Sequence, residues 1–159
     1  MKLVFYSGPG DCVTKIIRLV THGPYSHVEL QFANGCRFFA SGHGEYTGSH
    51  VVCDHRIYGK WWDEIEIPAT RKQERDALRF AFTLVGFPFG WHGLLSFLSP
   101  CIDRRREAKY CSSIILDLLQ KKMHLFPGHE LKISPNGLYK LCLKEEKNQR
   151  DTEIENSIA

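Results

Sequence analysis

Two short segments carry the residue types that chemistry needs. The first is Pro24-Tyr25-Ser26-His27-Val28-Glu29-Leu30, and the second is Lys109-Tyr110-Cys111-Ser112-Ser113-Ile114-Ile115. The second reads as the opening turn of a helix. There the backbone N–H groups lack helical acceptors, so the position favours a thiolate and offers an N–H to a developing oxyanion. The first reads as a strand. Alternation puts His27 on one face with Tyr25, Glu29 and Gln31, and puts Ser26, Val28, Leu30 and Phe32 on the other. A thiol, an imidazole and a carboxylate are the parts of a cysteine nucleophile with its general base and the group that orients the base. In that scheme Cys111 attacks, His27 moves the proton and Glu29 holds the ring. Gln31, or Ser41 on the following strand, is the alternative orienter. Tyr25, Tyr110 and Ser112 flank the pair and are the candidate binding residues. The competing roles are a cysteine spent on packing and a polar strand face turned to solvent.

Other clusters carry less. His50-x-x-Cys53-Asp54-His55, with His43 nearby, has spacing that could hold zinc. It lacks a paired Cys-x-x-Cys or His-x-x-x-His element, and we expect no metal. Gly8-x-Gly10 and Gly42-x-Gly44 match no phosphate-loop spacing and read as turns. The Phe87 to Trp91 turn and Trp61-Trp62 read as core and rim, or as walls of a pocket for an apolar or acyl group.

The elements that must position these residues follow from periodicity and punctuation. Leu3 to Tyr6 is a strand closed by Ser7-Gly8-Pro9-Gly10. Asp11 caps a helix to about His22, with Val13, Ile16, Ile17 and Val20 at helical spacing and Gly23-Pro24 after it. Tyr25 to Phe32 is the histidine strand, and Asn34-Gly35 turns it into Cys36 to Ser41. Further strands lie near Val51 to Cys53 and over Trp62 to Ile67. Thr70 and Gln73 form a capping box for a helix to about Val85, stopped by Gly86. A short apolar helix is expected around Leu94 to Leu98, then the Cys111 helix with Ile114, Ile115, Leu118 and Leu119 toward a core. Ser134-Pro135 starts a last short helix through Leu141. The segment 42–55 is a candidate lid.

A length of 159 residues, 43% apolar and 25% charged, suits one soluble α+β domain, placed here at 1–143, with a polar flexible tail over 144–159. A net charge of +3 without a basic, aromatic-interleaved stripe argues against nucleic acid. No stretch is apolar enough to span a bilayer, and the start is too short on apolar residues for a signal peptide, so a cytoplasmic location is expected. The six cysteines show no framework pattern and read as free thiols in a reducing compartment.

With these motifs in hand, the chain resembles the circularly permuted NlpC-type cysteine hydrolases, the papain-like group that includes the YiiX/YaeF-like proteins. The resemblance rests on five motifs in order over about residues 1–141. They are Gly10-Asp11 after the first strand, Tyr25 to Leu30, Gly86-Phe87-Pro88-Phe89-Gly90, Tyr110-Cys111-Ser112-Ser113, and Ser134-Pro135-Asn136-Gly137-Leu138-Tyr139. It implies a permuted papain-like α+β fold in which the cysteine helix packs on a small antiparallel sheet carrying the histidine. It also implies a Cys-His-polar triad acting on a peptide, isopeptide, peptidoglycan-type or other acyl substrate without a cofactor. Relatives act on amides, on lipid acyl chains and on isopeptides. Amide hydrolysis ranks first, acyl transfer or thioester chemistry second, and a non-catalytic binding module on the same fold third.

Overall fold

A computed structural model describes residues 1–42, 46–56, 58–91, 93, 97 and 109–158, of which 149 and 152–158 by backbone alone. Five antiparallel strands form one sheet: β1 (Lys2–Tyr6), β2 (His27–Gln31), β3 (Cys36–Ser41), β4 (Gly48–Cys53) and β5 (Trp62–Glu66), in the order β4-β3-β2-β1-β5. Four helices accompany it among the described residues: α1 (Cys12–Thr21), α2 (Arg71–Thr83), α3 (Cys111–Leu118) and α4 (Pro135–Ile158). A π-helical turn, Leu119–Met123, extends α3.

Local chemistry sets these boundaries. Asp11 Oδ1 accepts from Thr14 N–H at 2.9 Å to start α1, and His22 closes that helix in the left-handed region (φ 50°). Thr70 and Gln73 make the expected capping box for α2. Gly35 takes φ 82° in the β2–β3 turn, where a side chain at Cβ would be strained.

The sheet has one apolar face. Leu3, Phe5, Val28, Leu30, Phe38, Ala40 and Ile65 are buried together with Ile114, Ile115 and Leu118 of α3, which lies against β2 and β3. Ala77, Ala81 and Leu84 of the α2 region join the same core. Every residue of α3 is buried, Cys111 included. The other face carries His27, Glu29 and Arg37. The loop after β4 folds back over it, so Glu29 is only 2% exposed and Arg37 6%.

Several expectations need correction. Tyr25 belongs to the apolar side, not to the face of His27 and Glu29. Its ring stacks on Phe5 (5.4 Å) and Tyr139 (4.5 Å), and its hydroxyl donates to Asp63 Oδ2 at 2.7 Å. The strand begins only at His27, so alternation does not extend back through Ser26 to Tyr25. Asn136 takes up the backbone there, accepting from Tyr25 N–H and donating to Tyr25 C=O.

The segment 144–158 is not a frayed tail but the continuation of α4. Its Lys, Glu, Gln and Arg residues, with no glycine or proline, are good helix formers. Nor are all the cysteines free. Cys36 and Cys53 stand opposite each other in the β3–β4 ladder and form a disulfide. Residues 48–53 of the candidate lid are a paired strand. The short helix expected at Leu94 to Leu98 lies outside the described residues, apart from Phe97.

Candidate active site

Cys111 is the first residue of α3 and His27 the first of β2, and the two side chains lie close enough to interact. Tyr110 precedes the helix in extended conformation (ψ 176°), and its N–H donates to Ser113 Oγ at 2.8 Å. Ser112 Oγ donates to Ile133 C=O at 2.6 Å, tying the first turn to the segment before α4. These contacts fix where the helix starts. They leave the Cys111 N–H at a position with no helical acceptor.

His27 stands between two groups. Its Nε2 lies 3.4 Å from Glu29 Oε1, and Cys111 is close enough to act on the ring. Burial pulls the imidazole toward its neutral form. Hydrogen bonds to Cys111 and Glu29, with their negative charges, together outweigh burial and raise the pKa to about 10. Glu29 shows the mirror image. Burial favours its protonated form, but His27, Arg37 and Tyr58 together hold the carboxyl below its ordinary value.

Glu29 is deeply connected. Arg37 Nη1 donates to both carboxylate oxygens (3.3 and 3.2 Å), Tyr58 Oη donates to Oε2 at 2.8 Å, and Arg56 Nη1 lies 3.6 Å from Oε1. Burial, and then the charge of Glu29, pushes the Tyr58 phenol up, so it remains a donor at any working pH. Of the three candidate orienters, Glu29 is the one seen against His27. Gln31 points its amide to Arg56 C=O at 3.5 Å, and Ser41 lines the neighbouring cavity.

That cavity, about 300 Å³, opens beside His27 and Glu29 at the ends of β1, β2 and β3. Its walls are mixed: Val13 and Ile17 of α1, Trp62, Phe89 and Trp91 stand beside Ser26, His27, Glu29 and Arg56. The aromatic turn is fixed from two sides. Ser49 of β4 exchanges backbone hydrogen bonds with Gly86 and Phe87, and Gly90 N–H donates to Lys109 C=O, two residues before Cys111. Cys111 is 6% exposed and is not among the cavity-lining residues.

Of the predicted binding residues, none lines the cavity. Tyr25 packs in the core, Tyr110 is buried with its ring edge-on to Phe97 (5.8 Å), and Ser112 is spent on Ile133. In the second cluster, Cys53 is committed to the disulfide and His50 stacks with Tyr46 at 5.4 Å. Among the described residues, no group of histidine, cysteine and carboxylate side chains is arranged to hold a metal ion. No helix of the described residues is long and apolar enough to cross a membrane.

Arg37, Asp54, Arg56 and Tyr58 were not singled out from the sequence. One signal was present: an arginine at the second position of Cys36-Arg37-Phe38-Phe39-Ala40, where the strand is otherwise apolar and buried. Such an arginine needs a buried carboxylate partner. Compared with protein-family models, with curated proteins and with solved structures, the chain matches none.

Proposed function

We propose that this protein is a cysteine hydrolase, with Cys111 as nucleophile, His27 as proton carrier and Glu29 as the group that orients the ring. The observation that carries the reading is the placement of His27, with Cys111 close enough to help raise its pKa and Glu29 3.4 Å from its Nε2. The thiolate adds to an amide carbonyl, and the Cys111 N–H donates to the oxyanion that forms. The His27 imidazolium then protonates the leaving amine as the C–N bond breaks, giving an S-acyl enzyme. Neutral His27 next takes a proton from water, whose oxygen attacks the thioester. Collapse expels the Cys111 thiolate, releases the acid and restores the thiolate–imidazolium pair.

The site also limits the substrate. The cations Arg37 and Arg56 stand beside the anions Glu29 and Asp54, so these four carry no surplus charge to attract an ionic group. With aromatic rings on one side, polar groups on the other and room for about ten non-hydrogen atoms, the cavity suits a small acyl group or side chain. The aromatic side of the cavity, Trp62, Phe89 and Trp91, favours a second reading, acyl transfer or thioester hydrolysis through an identical S-acyl enzyme. The antiparallel sheet, the helix that begins at the cysteine and the order histidine before cysteine support a permuted papain-like arrangement.

A series of p-nitrophenyl esters and p-nitroanilides of graded acyl length tests the reading. We expect an acyl adduct on Cys111 by intact-mass and peptide mapping, with turnover abolished by Cys111→Ala. Turnover that survives Cys111→Ala would overturn it. So would a complete failure to acylate Cys111, which would leave a binding module on this fold.

A further inference from the structure

Glu29 does not reach His27 by strand geometry alone, because residues two apart on one strand need something to turn the carboxylate. Both of its oxygens are held from outside the strand. Arg37 Nη1 spans both, at 3.3 Å to Oε1 and 3.2 Å to Oε2, while Tyr58 Oη adds a bond to Oε2 at 2.8 Å and Oε1 also faces His27 Nε2. The arginine is itself immobilised. Its Nε and Nη2 grip Asp54 as a fork, at 3.1 Å to Oδ1 and 2.9 Å to Oδ2, and its guanidinium carbon lies 4.7 Å from the Phe39 ring centre. The fork is anchored at both ends, since Arg37 follows Cys36, Asp54 follows Cys53, and those cysteines are joined. Tyr58 is held the same way, its ring against Trp62 at 4.9 Å and under Arg56 at 5.6 Å.

We propose that Arg37, gripped by Asp54 and aided by Tyr58, is the positioning residue of this site: it turns the Glu29 carboxylate so that one oxygen is presented to His27. This rests on the hydrolase reading above. In a nearly water-free setting, with Glu29 2% and Arg37 6% exposed, such a clamp is rigid where a solvated carboxylate would rotate. The fork also explains why arginine stands here, because lysine has no planar pair of donors for Asp54 while reaching Glu29.

Position and simple charge predict opposite signs, which makes the inference testable. Removing the Arg37 cation should, by Coulomb's law alone, raise the proton affinity of His27. Releasing Glu29 from His27 should lower it. The groups facing His27 are Cys111, Glu29 and, through Glu29, Arg37, Arg56 and Tyr58. The experiment is a ¹³C-histidine NMR titration of the full chain, with the His27 resonance assigned by His27→Ala, in wild type, Arg37→Gln and Tyr58→Phe. We expect the midpoint to fall by at least tenfold in proton affinity in Arg37→Gln, and in the same direction in Tyr58→Phe, which changes no charge. Asp54→Glu, which keeps a carboxylate for the fork, should restore more of the wild-type midpoint than Asp54→Asn. Should Arg37→Gln fail to fold, Tyr58→Phe decides alone. An unmoved or raised midpoint overturns the clamp while the hydrolase reading survives. Failure of Cys111 to acylate with the p-nitrophenyl esters instead overturns the hydrolase reading itself.

Discussion

His27 Nε2 and Glu29 Oε1 lie 3.4 Å apart on one strand, with Val28 between them turned to the opposite, apolar face. The histidine therefore meets its carboxylate on the side of the sheet that the loop after β4 covers, and meets Cys111 at the strand's end. The same loop desolvates the pair and supplies Tyr58 and Arg56. Five consequences follow for experiments, and each can fail separately.

The pH dependence has a definite sign. His27 has a raised pKa, so the stabilisation from its ion pairing is fully present below 6.5 and is lost as pH rises through about 10. Glu29 has a lowered pKa, so its contribution is present above 4.5 and is lost as pH falls through its depressed value. Thermal melts should show a plateau between those limits, falling on both sides. Hydrolysis should decline above about pH 10, where His27 can no longer protonate a leaving amine. Turnover that keeps rising through pH 11 would contradict the protonated histidine.

Asn136 couples α4 to the residue pair ahead of His27. Besides its two bonds to the Tyr25 backbone (2.9 and 2.8 Å), its amide donates to Thr21 Oγ1 at 2.7 Å. Asn136→Ala leaves a buried N–H and C=O without partners and should cost about 3 kcal/mol. The check is a lowered urea midpoint with an unchanged slope. A change below ~0.5 kcal/mol would mean water or a neighbour replaces the amide.

Reducing the Cys36–Cys53 disulfide should destabilise the domain. It closes a loop with a sequence separation of 17, for which chain entropy gives about 3 kcal/mol. For a domain of this size that corresponds to roughly 10 °C in Tm. Scanning calorimetry with and without a dithiol reductant measures it. An identical Tm in both would show that the two thiols contribute without being joined.

Gly42 sets the position of the aromatic wall. A Cβ there would lie 2.5 Å from Trp91 Cζ2 and 2.9 Å from Phe89 Cδ1, so the rings must shift into or away from the cavity. Gly42→Ala should change kcat/KM most for the bulkiest acyl groups, by about tenfold, equivalent to ~1.4 kcal/mol. An equal loss for every acyl length would remove the cavity from substrate recognition.

The architecture was largely legible because its signals are local. Asp11, Thr70 with Gln73, and Asn34-Gly35 each satisfy or turn backbone next to themselves, and the structure has them in those roles. The ends of elements were less legible. Tyr25 alternates correctly in sequence yet leaves the strand, because Asn136, 111 residues away, takes its backbone bonds. The tail was read as frayed from polarity alone, although its residues favour helix without burial. At the site, Cys111, His27 and Glu29 could be found from motif and face. Arg37, Asp54 and Tyr58 reach Glu29 only through sheet pairing and a returning loop, which no local pattern encodes. The Cys36–Cys53 bond depends in the same way on register between two strands.

The central claim is that Cys111 and His27 act as one unit, and the rate of iodoacetamide labelling at each cysteine, mapped by mass spectrometry at pH 6 in wild type and His27→Ala, tests it most directly. We predict that Cys111, although buried, labels at least tenfold faster than exposed Cys12, and that His27→Ala removes the difference. Cys111 labelling no faster than buried Cys142, or labelling that ignores the loss of His27, would contradict the account.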